Sequence, residues 1–195
     1  MRRLLRDRPD EASECAGAEI AHRLEGTAAW ARASTVALYA SLPGEVATDA
    51  LISSAWRGGK RVLLPRVVGE GQLAFAEHPP AASLVAGAFG VLEPPPTEPS
   101  VDLVEADLVL VPGLAFDRHG GRLGRGRGYY DRALATLGRS GVREVATERD
   151  PAVPRAIGVA FDLQLVETVP MDVRDVRLEA VVTPSAMYIV DRPAT

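Results

Sequence analysis

The chain has 195 residues, 22 of them basic and 26 acidic, with a formal net charge of -4; 47% of its residues are hydrophobic and 25% are charged. These are ordinary globular values for a chain long enough to bury roughly 70% of its unfolded surface, and they exclude a strongly basic nucleic-acid binder. Lys60 is the only lysine, the other 21 basic residues being arginines, and its GGKRV context fits no G-x-x-x-x-G-K-[ST] phosphate loop.

The opening MRRLLRDRPDE lacks the apolar stretch of a secretory signal. Residues 10–25 predict a helix, with Asp10, Glu11 and Glu14 suited to its first turn and Gly26 to its end. TVALYAS at 35–41 reads as a short, nearly all-apolar strand. LPGEVAT at 42–48 reads as a loop with a Pro-Gly turn. Thr48 or Asp49 can cap a second helix that runs through Trp56 and stops at Gly58–Gly59. RVLLP at 61–65 is a further apolar strand, and QLAFAE at 72–77 alternates weakly, as an edge strand would. Residues 86–100 are rich in Pro and Gly and predict an irregular excursion. ADLVLVP at 106–112 is the strongest strand signal, followed by AIGVAFD at 156–162 and EAVVTP at 179–184. The stretch 140–155 is a polar connection with no clear element. Apolar strands separated by helical stretches imply a parallel sheet buried on both faces, hence an α/β fold in one domain over 1–195. No apolar run approaches the roughly 20 residues of a membrane span. The single cysteine, Cys15, makes no internal disulfide, so a cytoplasmic setting is expected.

The chemistry concentrates in Pro112–Arg132, PGLAFDRHGGRLGRGRGYYDR, which follows the strongest strand and leads into the helical run YYDRALATLG. Strand, glycine loop and helix is the layout that sets phosphate at a helix N-terminus. Gly124, Gly126 and Gly128 alternate with Arg125 and Arg127, so backbone N–H groups can converge on an anion without Cβ obstruction. Arg122, Arg125 and Arg127 offer planar forks that match phosphate oxygens. Asp131, in the first turn of that helix, suits Mg²⁺ beside a polyphosphate, or simply complements the helix dipole. An arginine-glycine RNA-binding segment would come as repeats in a low-complexity tract, whereas this one is single and framed by regular elements. His119 reads as an exposed turn residue, and His22, His78 and Cys15 as structural or surface positions, so no nucleophile stands out.

The pattern PGLAFD-x-x-G-x-RLG-x-G-x-GYYDR closely resembles the signature of the 5-formyltetrahydrofolate cyclo-ligase, or methenyltetrahydrofolate synthetase, family. VALYASLPGEVAT (36–48), GGKRVLLPRVV (58–68), GAFGVLEPPP (87–96) and the block at 157–183 are similar to other stretches of that family, in order. The resemblance implies a three-layer α/β/α fold with a mostly parallel sheet, similar to the sugar-phosphate isomerase/CoA-transferase-like fold. It also implies a reaction. The formyl oxygen of 5-formyltetrahydrofolate attacks the γ-phosphate of Mg-ATP, N10 then attacks the phosphorylated imidate, and phosphate leaves.

The resemblance further implies roles. Arg122, Leu123, Gly124, Arg125, Gly126, Arg127, Gly128, Tyr129 and Tyr130 would bind ATP, with Arg122, Arg125, Arg127 and Tyr130 acting on the transferring group. Asp131 and Asp175 would hold Mg²⁺, with Asp172 in reserve, and Ala40 and Glu45 would contact folate. The family opens with Lys-x-x-x-Arg against the ATP phosphates. Here either Arg2 and Arg6 take those places, or RRLLRDRPDE matches a later stretch and the first turn is absent. The implied partners are two small molecules, with no nucleic acid, no membrane and a monomeric protein. Two rivals remain: a sugar-phosphate or CoA enzyme of the same fold, which needs an acid–base pair near the glycine loop, and a non-catalytic folate- or nucleotide-binding relative.

Overall fold

An eight-stranded sheet forms the centre of the computed structural model, which describes residues 1–87, 90–139 and 155–190. Helices α1 (Arg2–Arg6), α2 (Asp10–Glu25) and α3 (Ala28–Arg32) precede β1 (Thr35–Ala37), and α4 (Asp49–Arg57) leads to β2 (Arg61–Gly69) and β3 (Gln72–Glu77). After the two-residue strands β4 (Val85–Ala86), β5 (Leu92–Glu93) and β6 (Ser100–Val101) comes β7 (Leu108–Val111). A small hairpin, β8 (Ala115–Phe116) and β9 (Arg122–Leu123), leads to α5 (Tyr129–Arg139). Strands β10 (Ala156–Val159), β11 (Ala180–Val182) and β12 (Met187–Ile189) follow.

The sheet order is β12-β11-β10-β7-β1-β2-β3-β6. The five strands from β11 to β2 are mutually parallel, while β12, β3 and β6 each pair antiparallel with a neighbour. Successive strand residues are buried on opposite faces. Val36, Val62, Leu64, Leu108, Leu110, Ile157 and Val182 pack with Ile20 and Leu24 of α2 and Leu51 and Ala55 of α4. Ala37, Leu63, Val109, Val111 and Val181 pack with Phe116 and with Leu134 of α5. Burial on both sides is why these strands read as unbroken apolar runs, and the result is the expected three-layer α/β fold.

The helix expected over 10–25 forms, and the one expected through Trp56 runs over Asp49–Arg57. The strand expected at 35–41 is regular only through Ala37; beyond it, the Tyr39 carbonyl accepts from Thr48 Oγ1 at 2.5 Å instead of a ladder partner. β3 is not the edge strand that its weak alternation suggests, because β6 pairs along its outer side. That pairing is pinned by the buried Arg66, which donates to the Pro95 carbonyl at 2.7 Å and to Ser100 Oγ at 2.9 Å. The excursion at 86–100 therefore contains a hairpin, β4–β5, as well as the start of β6. Of the polar connection at 140–155, all but Arg155 lies outside the described residues.

Helix α3 has only five residues and depends on its ends. Thr27 Oγ1 accepts from Trp30 N at 3.1 Å at the start. At the finish, Lys60 Nζ donates to the Trp30 and Ala33 carbonyls, both at 2.7 Å. Partial burial lowers the Lys60 pKa, an effect that the Asp107 carboxylate opposes. The one lysine is thus a helix cap. Among the described residues, no helix is long and apolar enough to cross a membrane.

Candidate active site

Strand β1 passes through α4, on one face of the sheet, to its neighbour β2. Strand β7, on the other side of β1, passes through α5, on the opposite face, to β10. The winding reverses between β1 and β7, and a crevice opens outside the carboxyl ends of two such strands. The segments that leave those ends are 38–48 and 112–128, which carry Ala40, Glu45 and the expected site residues from Arg122 to Gly128.

The first segment is held by backbone contacts. Gly44 has φ +85°, and a Cβ there would stand 2.8 Å from the Leu5 carbonyl carbon, so α1 lies directly on the turn. Gly17 of α2 leaves no room for a Cβ beside the Ala47 carbonyl. Glu45 closes the turn by accepting from Leu42 N at 3.0 Å with Oε2. Its Oε1 accepts from Arg125 Nη2 at 2.9 Å and Nε at 3.3 Å. The Glu45 side chain is only 10% exposed. Ala40, three residues beyond the end of β1, is half-buried.

The second segment begins with a turn built on Asp117, which is buried. Its Oδ1 accepts from the N–H groups of His119 and Gly121, both at 2.8 Å, and its Oδ2 from Val169 N at 2.7 Å. Burial pushes this carboxyl up, but the three backbone donors more than offset it and leave its pKa below the ordinary value. Gly120, at φ +82°, has no room for a Cβ against the Leu178 carbonyl, and Leu178 N donates to the Gly120 carbonyl at 2.9 Å. The turn therefore docks on the segment that carries Asp175. His119 is exposed, as expected.

Arg122 emerges from that turn with its side chain 4% exposed. Its Nη2 donates to Asp131 Oδ1 at 2.7 Å, and its guanidinium lies 5.9 Å from the Tyr130 ring centre. Its Nε has no hydrogen-bond partner among the described residues. Beyond it the chain turns through Gly126 and Gly128, both with positive φ. Arg2 Nη2 donates to the Arg125 carbonyl at 3.0 Å, so α1 reaches the glycine loop. Arg6 does not: it is exposed and stands 3.7 Å from Asp7. Leu123, Arg125 and Arg127 are exposed, and Gly124, Gly128, Tyr129 and Tyr130 are half-buried.

Two phenols, the buried Tyr39 and the half-buried Tyr130, border Glu45. Burial and then the Glu45 charge push both Tyr39 and Tyr130 above the ordinary tyrosine value; for Tyr130 the Arg122 cation opposes this. Both stay neutral at physiological pH and are not available as bases.

The two candidate metal ligands come from adjacent segments. Asp131 Oδ1 faces Val176 N at 3.5 Å, one residue from Asp175. Asp175 Oδ2 accepts from Asp172 N at 2.7 Å, while Asp172 itself pairs with Arg174 at 3.0 Å. Each of Asp131 and Asp175 thus retains an oxygen without a hydrogen bond among the described residues. Those residues hold no cluster of three or more His, Cys, Asp or Glu side chains fit for a metal. Such a donor set fits Mg²⁺, which keeps several waters and takes further ligands from substrate phosphate.

Tyr39, Asp117 and Arg132 also belong to this neighbourhood, and sequence reasoning assigned them no role. Tyr39 hides in an all-apolar strand. Asp117 and Arg132 stand inside the glycine-loop signature, where only spacing to the loop marks them.

A family model described as the 5-formyltetrahydrofolate cyclo-ligase family matches residues 1–184. The 5-formyltetrahydrofolate cyclo-ligase of Escherichia coli K12 is 37% identical over 159 residues, which are 80% of this chain and 81% of that protein. The 5-formyltetrahydrofolate cyclo-ligase of Mycolicibacterium smegmatis is 36% identical over 156 residues, 77% of this chain and 73% of that protein. The solved structure of Aquifex aeolicus 5,10-methenyltetrahydrofolate synthetase superposes with a TM-score of 0.79 at 27% identity, covering 99% of this chain and 90% of that one.

Proposed function

The chain belongs to the 5-formyltetrahydrofolate cyclo-ligase family, and from that premise we propose how its residues divide the work of an ATP-dependent cyclo-ligase. The substrates are 5-formyltetrahydrofolate and ATP, and the products are 5,10-methenyltetrahydrofolate, ADP and phosphate. In the reading we favour, the formyl oxygen forms a bond to the γ-phosphorus and ADP leaves. N10 then adds to the activated carbon and gives up its proton to the departing phosphate or water, and the C–O bond breaks to release phosphate.

Phosphoryl transfer asks the protein for positioning and positive charge more than for covalent chemistry. Arg122, Arg125, Arg127 and Arg2 supply the charge, and the turn through Gly126 and Gly128 lets backbone N–H groups approach the phosphates. Tyr130 borders the transferring group as a neutral donor. Glu45 accepts from the amino-pyrimidinone edge of the folate, beside Ala40. Asp131 and Asp175 are the residues that would hold Mg²⁺, which would neutralise charge on the phosphate oxygens.

One observation carries this reading: Arg125 of the glycine loop and Glu45 of the folate loop touch across the reversal of winding. The two expected binding segments therefore share one crevice, as a transfer between their ligands requires. A sugar-phosphate or CoA enzyme would need a free acid–base pair there, but Glu45 and Asp131 are engaged by arginines and Asp117 by three backbone N–H groups.

The test is direct. Protein mixed with 5-formyltetrahydrofolate and Mg-ATP should give a near-ultraviolet absorbance rise, because the conjugated methenyl product absorbs there and the substrate does not. A folded protein that gives no ATP-dependent rise would overturn the reading.

A further inference from the structure

Arg132 is the first residue after the Gly126–Asp131 stretch whose side chain turns back toward it. Its Nε donates to the Gly71 carbonyl at 2.5 Å, and its Nη2 donates to the Arg127 carbonyl. Gly71 sits in the hairpin between β2 and β3, at φ +70°. A Cβ at Gly71 would overlap the Arg132 guanidinium, and a Cβ at Gly128 would stand 3.1 Å from Arg132 Nη1. The guanidinium thus lies between two glycines from distant parts of the chain and bridges two carbonyls.

The geometry points to Arg132 as a positioning residue that fixes the curvature of the glycine loop against the β2–β3 hairpin. The inference rests on the reading of residues 122–130 as the ATP-binding loop. A loop that turns at Gly126 and Gly128 has little rigidity of its own. Its N–H groups converge on phosphate only if something external holds the carbonyls outward, and Arg132 holds the Arg127 carbonyl while the hairpin anchors Arg132. A lysine does not replace it, because one ammonium on a flexible stem lacks the planar fork that spans two fixed acceptors.

The experiment uses Arg132→Ala, Arg132→Lys, Gly71→Ala and the double variant with Gly71→Ala and Arg132→Ala. Arg132→Ala should raise KM for Mg-ATP about tenfold, since two charge-assisted hydrogen bonds to the loop and hairpin are lost. It should leave KM for 5-formyltetrahydrofolate within about twofold and shift Tm little, because Arg132 is exposed and water can replace it on both carbonyls. Arg132→Lys should recover only part of the ATP affinity. Gly71→Ala should raise KM for ATP in the parent, where it displaces the guanidinium, but add nothing in the Arg132→Ala background. Its backbone strain should lower Tm in both. An unchanged KM for ATP in Arg132→Ala, or an equal effect of Gly71→Ala in both backgrounds, overturns the proposal. Calorimetry with ATP separates this from the underlying reading. If Arg125→Ala loses ATP binding and Arg132→Ala does not, the loop binds ATP without the clamp. If neither loses it, the loop assignment itself falls, and the clamp with it.

Discussion

Arg125 donates two hydrogen bonds to one oxygen of Glu45, across 80 positions of sequence, while the other oxygen of Glu45 closes its own turn. The glycine loop, proposed to hold phosphate, and the 38–48 loop, proposed to hold folate, are therefore bound to each other. On the proposed assignment, a folate that takes Glu45 would free Arg125, and a phosphate that takes Arg125 would free Glu45.

Glu45→Gln is expected to weaken folate binding and strengthen ATP binding. The first effect should be at least about tenfold in KM, because a charged acceptor is lost. The second should be about twofold to fivefold in the ATP dissociation constant, the worth of a partly exposed ion pair. Calorimetry with ATP alone checks the second effect independently of turnover.

Asp131 has two jobs that a single substitution confounds. Asp131→Asn leaves an acceptor but removes the charge beside the buried Arg122, and should cost about 1–3 kcal/mol of stability. Turnover should fall by at least about a hundredfold, as loss of a group acting at the developing charge does. Pairing Arg122→Met with Asp131→Leu separates the roles. Well-packed apolar replacements of a buried ion pair are often neutral for stability, so the double variant should regain Tm but not activity. Thermal melts beside the absorbance assay decide this.

Asp117 makes the fold acid-sensitive. Its pKa in the folded protein lies below the unfolded value, so the unfolded chain binds the proton first as pH falls. The stabilisation is complete above the unfolded pKa of about 3.9 and fades as pH drops through the folded one. Asp117→Asn should lower stability at neutral pH by about 3 kcal/mol, having lost a charged acceptor with three backbone donors. It should also flatten the acid limb. Urea unfolding across the acid range measures both.

Lys60→Met should destabilise by about 1–3 kcal/mol, because the Trp30 and Ala33 carbonyls lose a charged donor. Kinetic constants should not change. Lys60 precedes β2, at the amino ends of the parallel strands, whereas the site lies at their carboxyl ends. A Tm drop without a change in KM for either substrate is the expected result.

The central strands were legible because Leu108–Val111 and Ala156–Val159 are buried on both faces and leave no polar residue to obscure the run. Helix α3 was not legible, because its capping lysine lies 27 residues beyond Ala33. β12, half-exposed and three residues long, carries too little pattern to separate from a loop. At the site, the glycine–arginine alternation suggested a phosphate loop, because alternating glycines leave room for backbone N–H groups to converge on an anion. The partners of those arginines were hidden: Asp131 lies nine residues from Arg122, a separation that no local periodicity brings together. Glu45, Gly71 and Val176 meet the loop only through tertiary packing.

The capping role of Lys60 gives the protein a built-in chemical reporter. It carries the chain's only side-chain amine, and that amine reacts with an acylating reagent only when it leaves both carbonyls. Once released, it should label readily, and the adduct cannot cap the helix again. The labelling rate at this one position, read by mass spectrometry, should therefore count the openings of α3 in the native protein without any mutation being introduced.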